Sequence, residues 1–554
     1  MTKESGTLTV PNTSHPVPNP GAKSDALHGE SLPTASWSSG NLAEAVPGVM
    51  TPLCASAWVP ASELGLRAPF HAMGALSAEQ LAIPANPLDR ITNAFYGRMA
   101  VRVDFLCEIG DLIPGQTGEA LSRDFFGFVP PDFVSKPSNR RLPVIAFRYP
   151  RTLLSIARNI ERRRRDTDAW WRAEISRVSS LDLEQAQLLL GQAMDRFSGN
   201  LAAQAVVAAC AIQPVHEQLT TLAGKVGVDP AELMRGHGSH EENAVLSDLW
   251  AVSRDRLELS EFLVRHGYHG PGEGEVSTSV WREAPSSIGR IIDRYRALDD
   301  SAAPDRAESE WAREREAAER KVFAGLGAFG RLRARLLLRI ARRFIPLRGV
   351  GKVAYLQALD VVRATARRIG ELLVKDERLE SPDDTFYLTR EEITGPLSGR
   401  DFTALVAERR EARLRYESLE VPTTWTGNPI ASPIAEPAVE PVTELRGTGV
   451  SPGIVEGRAV VVVDPADAEL ETGDILVAHT TDPSWVSLMF LSKALVVDIG
   501  GPLSHAAVVA RELGIPCVMN TENGTRVIRS GATIRVDGAT GRVEIIHPTE
   551  GDRQ

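Results

Sequence analysis

Cysteine is scarce in this 554-residue chain: Cys54, Cys107, Cys210 and Cys517 are its four, far apart and without CxxC spacing. That argues against a disulfide framework or a cysteine-rich zinc site and suits a reducing compartment, so the cytoplasm is the expected location. Long apolar runs are lacking too. The longest, 201–212, is Ala-rich and interrupted by Gln204. It falls short of the roughly 20 residues of a membrane span and reads as a buried helix, so no membrane association is expected. The first residues hold no apolar signal core. There is no excess of basic residues: the net charge is −10, which does not favour wholesale nucleic-acid binding. No P-loop of the form GxxxxGK(S/T) and no internal repeat occur.

What is present is ordinary globular composition, 43% hydrophobic and 24% charged, at a length that allows several domains. Residues 1–35 are rich in Ser, Pro, Gly, Thr and Asn without periodicity and read as a disordered tail. Helical spacing of apolar residues then runs through 181–197, 201–215, 244–264, 288–298 and 354–373. Alternation of the β type is scarce before 440. A large, mostly α-helical domain over 36–425 is therefore expected. Residues 428–442, NPIASPIAEPAVEPV, repeat proline among small and acidic residues. They predict a semi-extended linker, 426–443, suited to a domain that swings. A surface crossover lying on the helical domain is the competing reading. Short β-branched runs follow at 458–463, 475–479, 494–499, 516–519 and 533–536, with one helix, 504–513, stopped by Gly514 and Pro516. The fold class is thus multidomain: the helical domain, then a compact α/β domain over 444–548, then a tail at 549–554.

Within the α/β domain, residues 500–518 read GGPLSHAAVVARELGIPCV. His505 stands behind a Gly-Gly turn in the first turn of a short apolar helix. Free N–H groups and the positive dipole end at such a terminus favour a phosphoryl group. Gly500 and Gly501, lacking Cβ atoms, let a bulky anion approach the backbone. Ser504 is placed to cap the helix or to offer its hydroxyl to a phosphate oxygen. A neutral imidazole is a nucleophile near neutral pH, and a phosphoramidate is readily cleaved, so His505 suits a two-step transfer.

This stretch resembles the phosphohistidine motif of the mobile, swivelling domain of the PEP-utilising enzymes, a family that includes phosphoenolpyruvate synthases, pyruvate phosphate dikinases and rifampicin phosphotransferases. Residues 447–457 (GTGVSPGIVEG) resemble the family's Gly-rich first strand. Residues 475–485 (ILVAHTTDPSW) resemble the strand and Thr-Asp-Pro loop before the histidine. The resemblance covers 444–548 and implies that His505 carries a phosphoryl group between two sites, with Thr481 and Asp482 nearby. A plain Asp-Pro turn is the alternative for the latter pair. Arg511 is placed either to touch phosphate or, more simply, to form a salt bridge on the helix surface.

The helical domain has echoes of the rifampicin-phosphotransferase branch, in family order: 37–53 (WSSGNLAEAVPGVMTPL), 96–98 (YGR) and 382–392 (PDDTFYLTREE). The segment 266–277 (HGYHGPGEGEVS) matches a family stretch that usually reads GMRGPGEID, with His269 replacing its arginine and Glu275 its aspartate. An arginine grips phosphate bidentately at any pH and a histidine does not, so this departure bears on competence or substrate class. His266, His269, Glu273 and Glu275 form the candidate acceptor site, able to activate a hydroxyl by general-base catalysis. A solvated loop competes with that reading, and a glycine-rich turn fixes no ligand geometry, so no metal site is expected. Arg348 and Lys352 resemble basic positions that meet the phosphate on a docked histidine domain. The run of arginines at 162–165 reads as a solvated helix face, and 331–343 as an amphipathic helix.

Relatives that draw phosphate from ATP carry an ATP-binding domain ahead of the helical region, and those using phosphoenolpyruvate carry a barrel after the histidine domain; neither is found in these residues. The resemblance therefore implies a split system: a separate, ATP-grasp-like subunit binding Mg²⁺ and ATP, and this chain passing the group to a small-molecule acceptor. The alternative is a non-catalytic ligand- or partner-binding relative regulated by phosphorylation of His505.

Overall fold

The computed structural model describes residues 25–547 apart from 41–44, 47, 127, 235–239, 301–302, 398–399, 435–442, 464–467, 469, 482–484 and 501–503. Four long helices form the centre of the first domain: Pro52–Met73, Leu142–Arg177, Leu183–Val207 and Leu347–Lys375. The last is buried almost all round, with Leu359, Val362 and Ile369 packed against Leu53, Trp58, Leu190 and Phe197. Leu183–Val207 starts on a capping box made by Asp182 and Gln185. It runs through a π-helical stretch at Ala208–Ile212 into Gln213–Val226. Pro214 lacks the N–H that an α-helix would use there, which accounts for the widened turn. The expected single helix over 244–264 is two, His240–Ser253 and Leu259–His266, parted by a turn at Asp255 with φ +53°.

One expectation is corrected. Residues 25–35 are not a disordered tail: Leu27 is buried, and His28 Nδ1 accepts from the Tyr96 N–H at 3.2 Å. The scarce β-type structure before 440 includes one small sheet. Thr92–Phe95 and Arg98–Arg102 form a hairpin, extended by Ser36–Ser38 and Thr424–Thr426 into a four-stranded sheet. The hairpin turn is Tyr96–Gly97, both left-handed at φ +49° and +69°, the two-residue turn that matches strand twist. A Cβ on Gly97 would sit 2.4 Å from Val49 Cγ1. Part of the linker is also structured, since Ser432–Pro433 pairs with Leu419–Glu420; residues 435–442 lie outside the described residues.

The α/β domain is one eight-stranded sheet. Its order is Glu444–Arg446, Arg542–His547, Thr533–Asp537, Ile454–Val462, Ile475–Ala478, Ala494–Val497, Cys517–Met519, Thr448–Ser451. The strands from Ile454–Val462 to Cys517–Met519 are parallel and the outer pairings antiparallel. Alternation along each strand splits the side chains between two faces. Ile475, Val477 and Val496 join Ile534 and Val543 in one layer. Leu476, Leu495 and Val497 face the helices Val486–Leu491 and His505–Leu513.

That second layer does not end at the domain. Trp250, Phe262, Trp281, Ile291, Ile292 and Tyr295 of the helical domain belong to the same contiguous apolar cluster as Leu488, Met489, Ala506 and Ala507. Phe490 meets Tyr295 edge-on, with ring centroids 6.4 Å apart. The α/β domain is thus docked on the helical domain through the layer that carries the His505 helix.

Candidate active site

His505 is the first residue of the helix His505–Leu513, directly after the N-cap. Ser504 takes the capping role of the two that its position allowed. Its Oγ accepts from the Ala507 N–H at 3.2 Å and it is buried, next to Met519 Sδ at 3.0 Å. Gly500 has φ +151°, a backbone conformation that favours glycine, at the point where the chain leaves the sheet. Gly501, Asp482 and the side chain of His505 lie outside the described residues. Thr481 is buried, and its hydroxyl finds no partner among the described residues, nor does that of Thr480. Two buried hydroxyls without a partner among the described residues are groups that a bound oxyanion would satisfy.

Next to this segment is a pair that sequence reasoning passed over. His479 Nδ1 lies 3.3 Å from Asp498 Oδ2, just beyond the C-terminal ends of two parallel strands, where α/β sheets place ligands. Asp498 is buried; Thr521 Oγ1 donates to it at 2.9 Å and the Thr525 N–H at 3.2 Å. Burial alone would raise its pKa. The hydrogen bonds from His479, Thr525 and Thr521 outweigh it and hold the carboxyl below its ordinary range. The signal for Asp498 was an acid ending an apolar strand, two residues before Gly500-Gly501.

In the helical domain the expected cluster divides. His269 Nδ1 is hydrogen-bonded to Glu273 Oε1, and His266 Nε2 to Asp248 Oδ2 at 2.8 Å. All three predicted residues are buried, and the rings of His269 and Trp281 lie 5.6 Å apart. Burial lowers the His266 pKa to about 4; its bond to Asp248 opposes that and neighbouring His269 adds to it, so this ring is neutral at pH 7. An ionised carboxylate only accepts, so Nδ1 of His269 donates and Nε2 is left to take a proton. Glu273 Oε2 is buried with no partner among the described residues. The solvated-loop reading of this segment is therefore replaced by a packed turn.

Glu275 is not part of that cluster, which corrects its assignment. Gly274 is pressed against Ala45, whose carbonyl oxygen would be 1.9 Å from a Cβ there. The next side chain points to the start of Pro52–Met73 instead. Thr51 donates to Glu275 from Oγ1 at 2.7 Å and from its N–H at 3.0 Å. Buried Arg363 reaches the Glu275 and Val276 carbonyls, so this end of the segment is scaffold.

Arg348 and Lys352 lie near the start of Leu347–Lys375, away from the histidine pairs in the chain. The charge of Arg348 is felt by Arg511 of the His505 helix, whose pKa is lowered by burial and by Arg348 against the opposing pull of Asp229. Arg511 donates to the Val450 carbonyl at 2.7 Å. The motif 96–98 is structural: beyond the hairpin turn, Arg98 donates to the carbonyls of Tyr416 and Leu419 at 3.1 and 2.7 Å.

Residues 470–541 match the family description "PEP-utilising enzyme, mobile domain". Over those residues the α/β domain is similar to these mobile domains. Residues 177–349 of the helical domain match "Rifampicin phosphotransferase fourth domain". Among curated relatives, a rifampicin phosphotransferase from Streptomyces is 34% identical over 349 residues, 60% of this chain and 40% of that protein. One from Bacillus cereus is 29% identical over 351 residues, covering 60% of this chain and 40% of its own. The prodigiosin synthesizing transferase PigC of Serratia marcescens is 30% identical over 343 residues, 59% of this chain and 38% of its own length. The chain thus spans about 40% of the length of the rifampicin phosphotransferases it matches.

Proposed function

We propose that this chain is a phosphotransferase that carries a phosphoryl group on His505 and delivers it to a small-molecule hydroxyl in the helical domain. The observation that carries the reading is the docking of the His505 helix, within a domain similar to the family's mobile domain, onto helices that flank the turn holding the His269–Glu273 pair. Phe262 and Trp281 belong to the docking cluster, and they pack on His266 and His269 respectively, with ring centroids 5.0 and 5.6 Å apart. In the first step an imidazole nitrogen of His505 attacks a phosphorus of ATP; a P–N bond forms and the P–O bond to the nucleotide breaks. In the second, the acceptor oxygen attacks that phosphorus, the P–N bond breaks, and the hydroxyl proton passes to His269 Nε2. Arg348 and Lys352 supply positive charge toward the incoming domain.

In this reading ATP and Mg²⁺ are bound by a separate ATP-grasp-like subunit in the cytoplasm; the similarity to phosphotransferases supports ATP as the donor. Among the described residues no helix is long and apolar enough to cross a membrane. The relatives are named for two different small molecules, rifampicin and prodigiosin, so the acceptor is defined here only as a hydroxyl compound.

The arginine-to-histidine departure at His269 favours a second reading, a ligand-binding relative regulated at His505. Turnover separates the two. With an ATP-binding partner and a panel of hydroxyl compounds, the first reading predicts a phosphomonoester product detectable by mass. His269→Asn then lowers turnover about 100-fold while His505 is still phosphorylated. Phosphorylation without product from any acceptor supports the regulated relative.

A further inference from the structure

A cavity of about 820 Å³ opens between the helices Pro52–Met73, Leu142–Arg177 and Leu183–Val207. Its polar lining is one-sided. Arg148, Arg162, Arg163 and Arg196 line it together with His71, against a single carboxylate, Asp166. Ile156, Ile160 and Val207 form an apolar floor. The volume is that of a small-molecule site.

The four guanidinium groups are not engaged as their neighbours are. Arg164, in the same helical turn, pairs with Asp168 at 3.2 Å and Glu241 at 3.5 Å. Among the described residues Arg163 has only the neutral Asn200, to whose Oδ1 it donates at 3.3 Å. Arg196 lies over the Trp170 ring, 4.5 Å from its centroid, a stacking that leaves the N–H edge of the guanidinium available. Arg148 Nη2 is 3.3 Å from His71 Nε2. Arginine is always protonated, so it is the donor; His71 is the neutral acceptor, its remaining ring N–H another donor. None of the four arginines forms an ion pair among the described residues, although such pairs are plentiful elsewhere on this surface. Four cations sharing a cavity with one lining carboxylate repel one another, and each planar fork is shaped to take an oxyanion in two hydrogen bonds.

We infer that this cavity binds an organic anion bearing two or more phosphate or carboxylate groups, with its apolar body on the Ile156–Ile160–Val207 floor. The site is separate from the His505 segment and does not depend on the transfer proposed above. It also gives the 162–165 arginine run a role beyond a solvated face: Arg162 and Arg163 point a ligand-binding edge into the cavity, while Arg164 holds the scaffold.

Isothermal titration at constant ionic strength, with inorganic pyrophosphate and with citrate as probes, tests this. Binding of either probe is expected, weakened at least about tenfold by Arg163→Gln and by Arg196→Gln. It should be unchanged by Arg165→Gln, the same charge loss one turn-neighbour away, and by His505→Ala. Asp166→Asn, which removes the one carboxylate, should tighten it. Preference for pyrophosphate assigns phosphate groups to the ligand, and preference for citrate assigns carboxylates. No binding of either probe at millimolar concentration, or equal weakening by Arg165→Gln and Arg163→Gln, overturns the proposal. Arg163 is exposed, so its variant folds even if replacement of Arg196 is not tolerated.

Discussion

His266 and His269 are three residues apart, and their carboxylate partners set them different tasks. His269 is oriented by Glu273, four residues on, which frees its second nitrogen for chemistry. His266 is held by Asp248 from another helix and kept neutral by burial, with a pKa near 4. Because this folded pKa lies below the ordinary histidine value, the unfolded chain takes up the proton first as pH falls. The helical domain should therefore lose stability between about pH 6.5 and pH 4, by roughly 3 kcal/mol from this ring, and no more below that. Urea unfolding at pH 7.5 and pH 4.5 should show a smaller loss in His266→Gln than in the parent; an identical loss would contradict the assignment. The two histidines and Glu273 were legible because they crowd one short segment. Asp248 was not, since nothing in a sequence links it to a histidine eighteen residues away. Glu275 was misread because spacing cannot say that Gly274 is pinned against Ala45 and turns the next side chain toward Thr51.

Among elements, the parallel strands declared themselves through continuous apolar runs bounded by glycine and aspartate, as strands buried on both faces do. The four-stranded sheet of the helical domain did not. Its strands are three to five residues long, and Trp37 pairs with Trp425 across almost the whole helical domain. The docking face was hidden for another reason. Ile291, Ile292 and Tyr295 lie on one side of Ser286–Ala297, and helical spacing reports that a face is buried without naming what covers it. The cover includes Val486–Leu491. Phe490→Asp would place a charge against Tyr295, costing on the order of 2 kcal/mol or more at this contact. Small-angle scattering should then show a larger radius of gyration with unchanged far-UV circular dichroism. Unchanged dimensions would contradict docking through this helix.

Across the whole molecule, a helical body and an α/β mobile domain share one apolar layer, and the helix that begins with His505 lies in it. On the proposed function this is the carrier at rest on its delivery side: the layer would fix where the helix points, and undocking would free it to collect the next group. The most direct measurement is phosphorylation itself. The protein is incubated with a candidate ATP-binding subunit and ATP labelled on its β- and γ-phosphates, and the label on this chain is followed through acid and alkali. The account predicts an acid-labile, alkali-stable label that is absent from His505→Ala. A label that persists in His505→Ala, or no label with any ATP-binding partner, would contradict it.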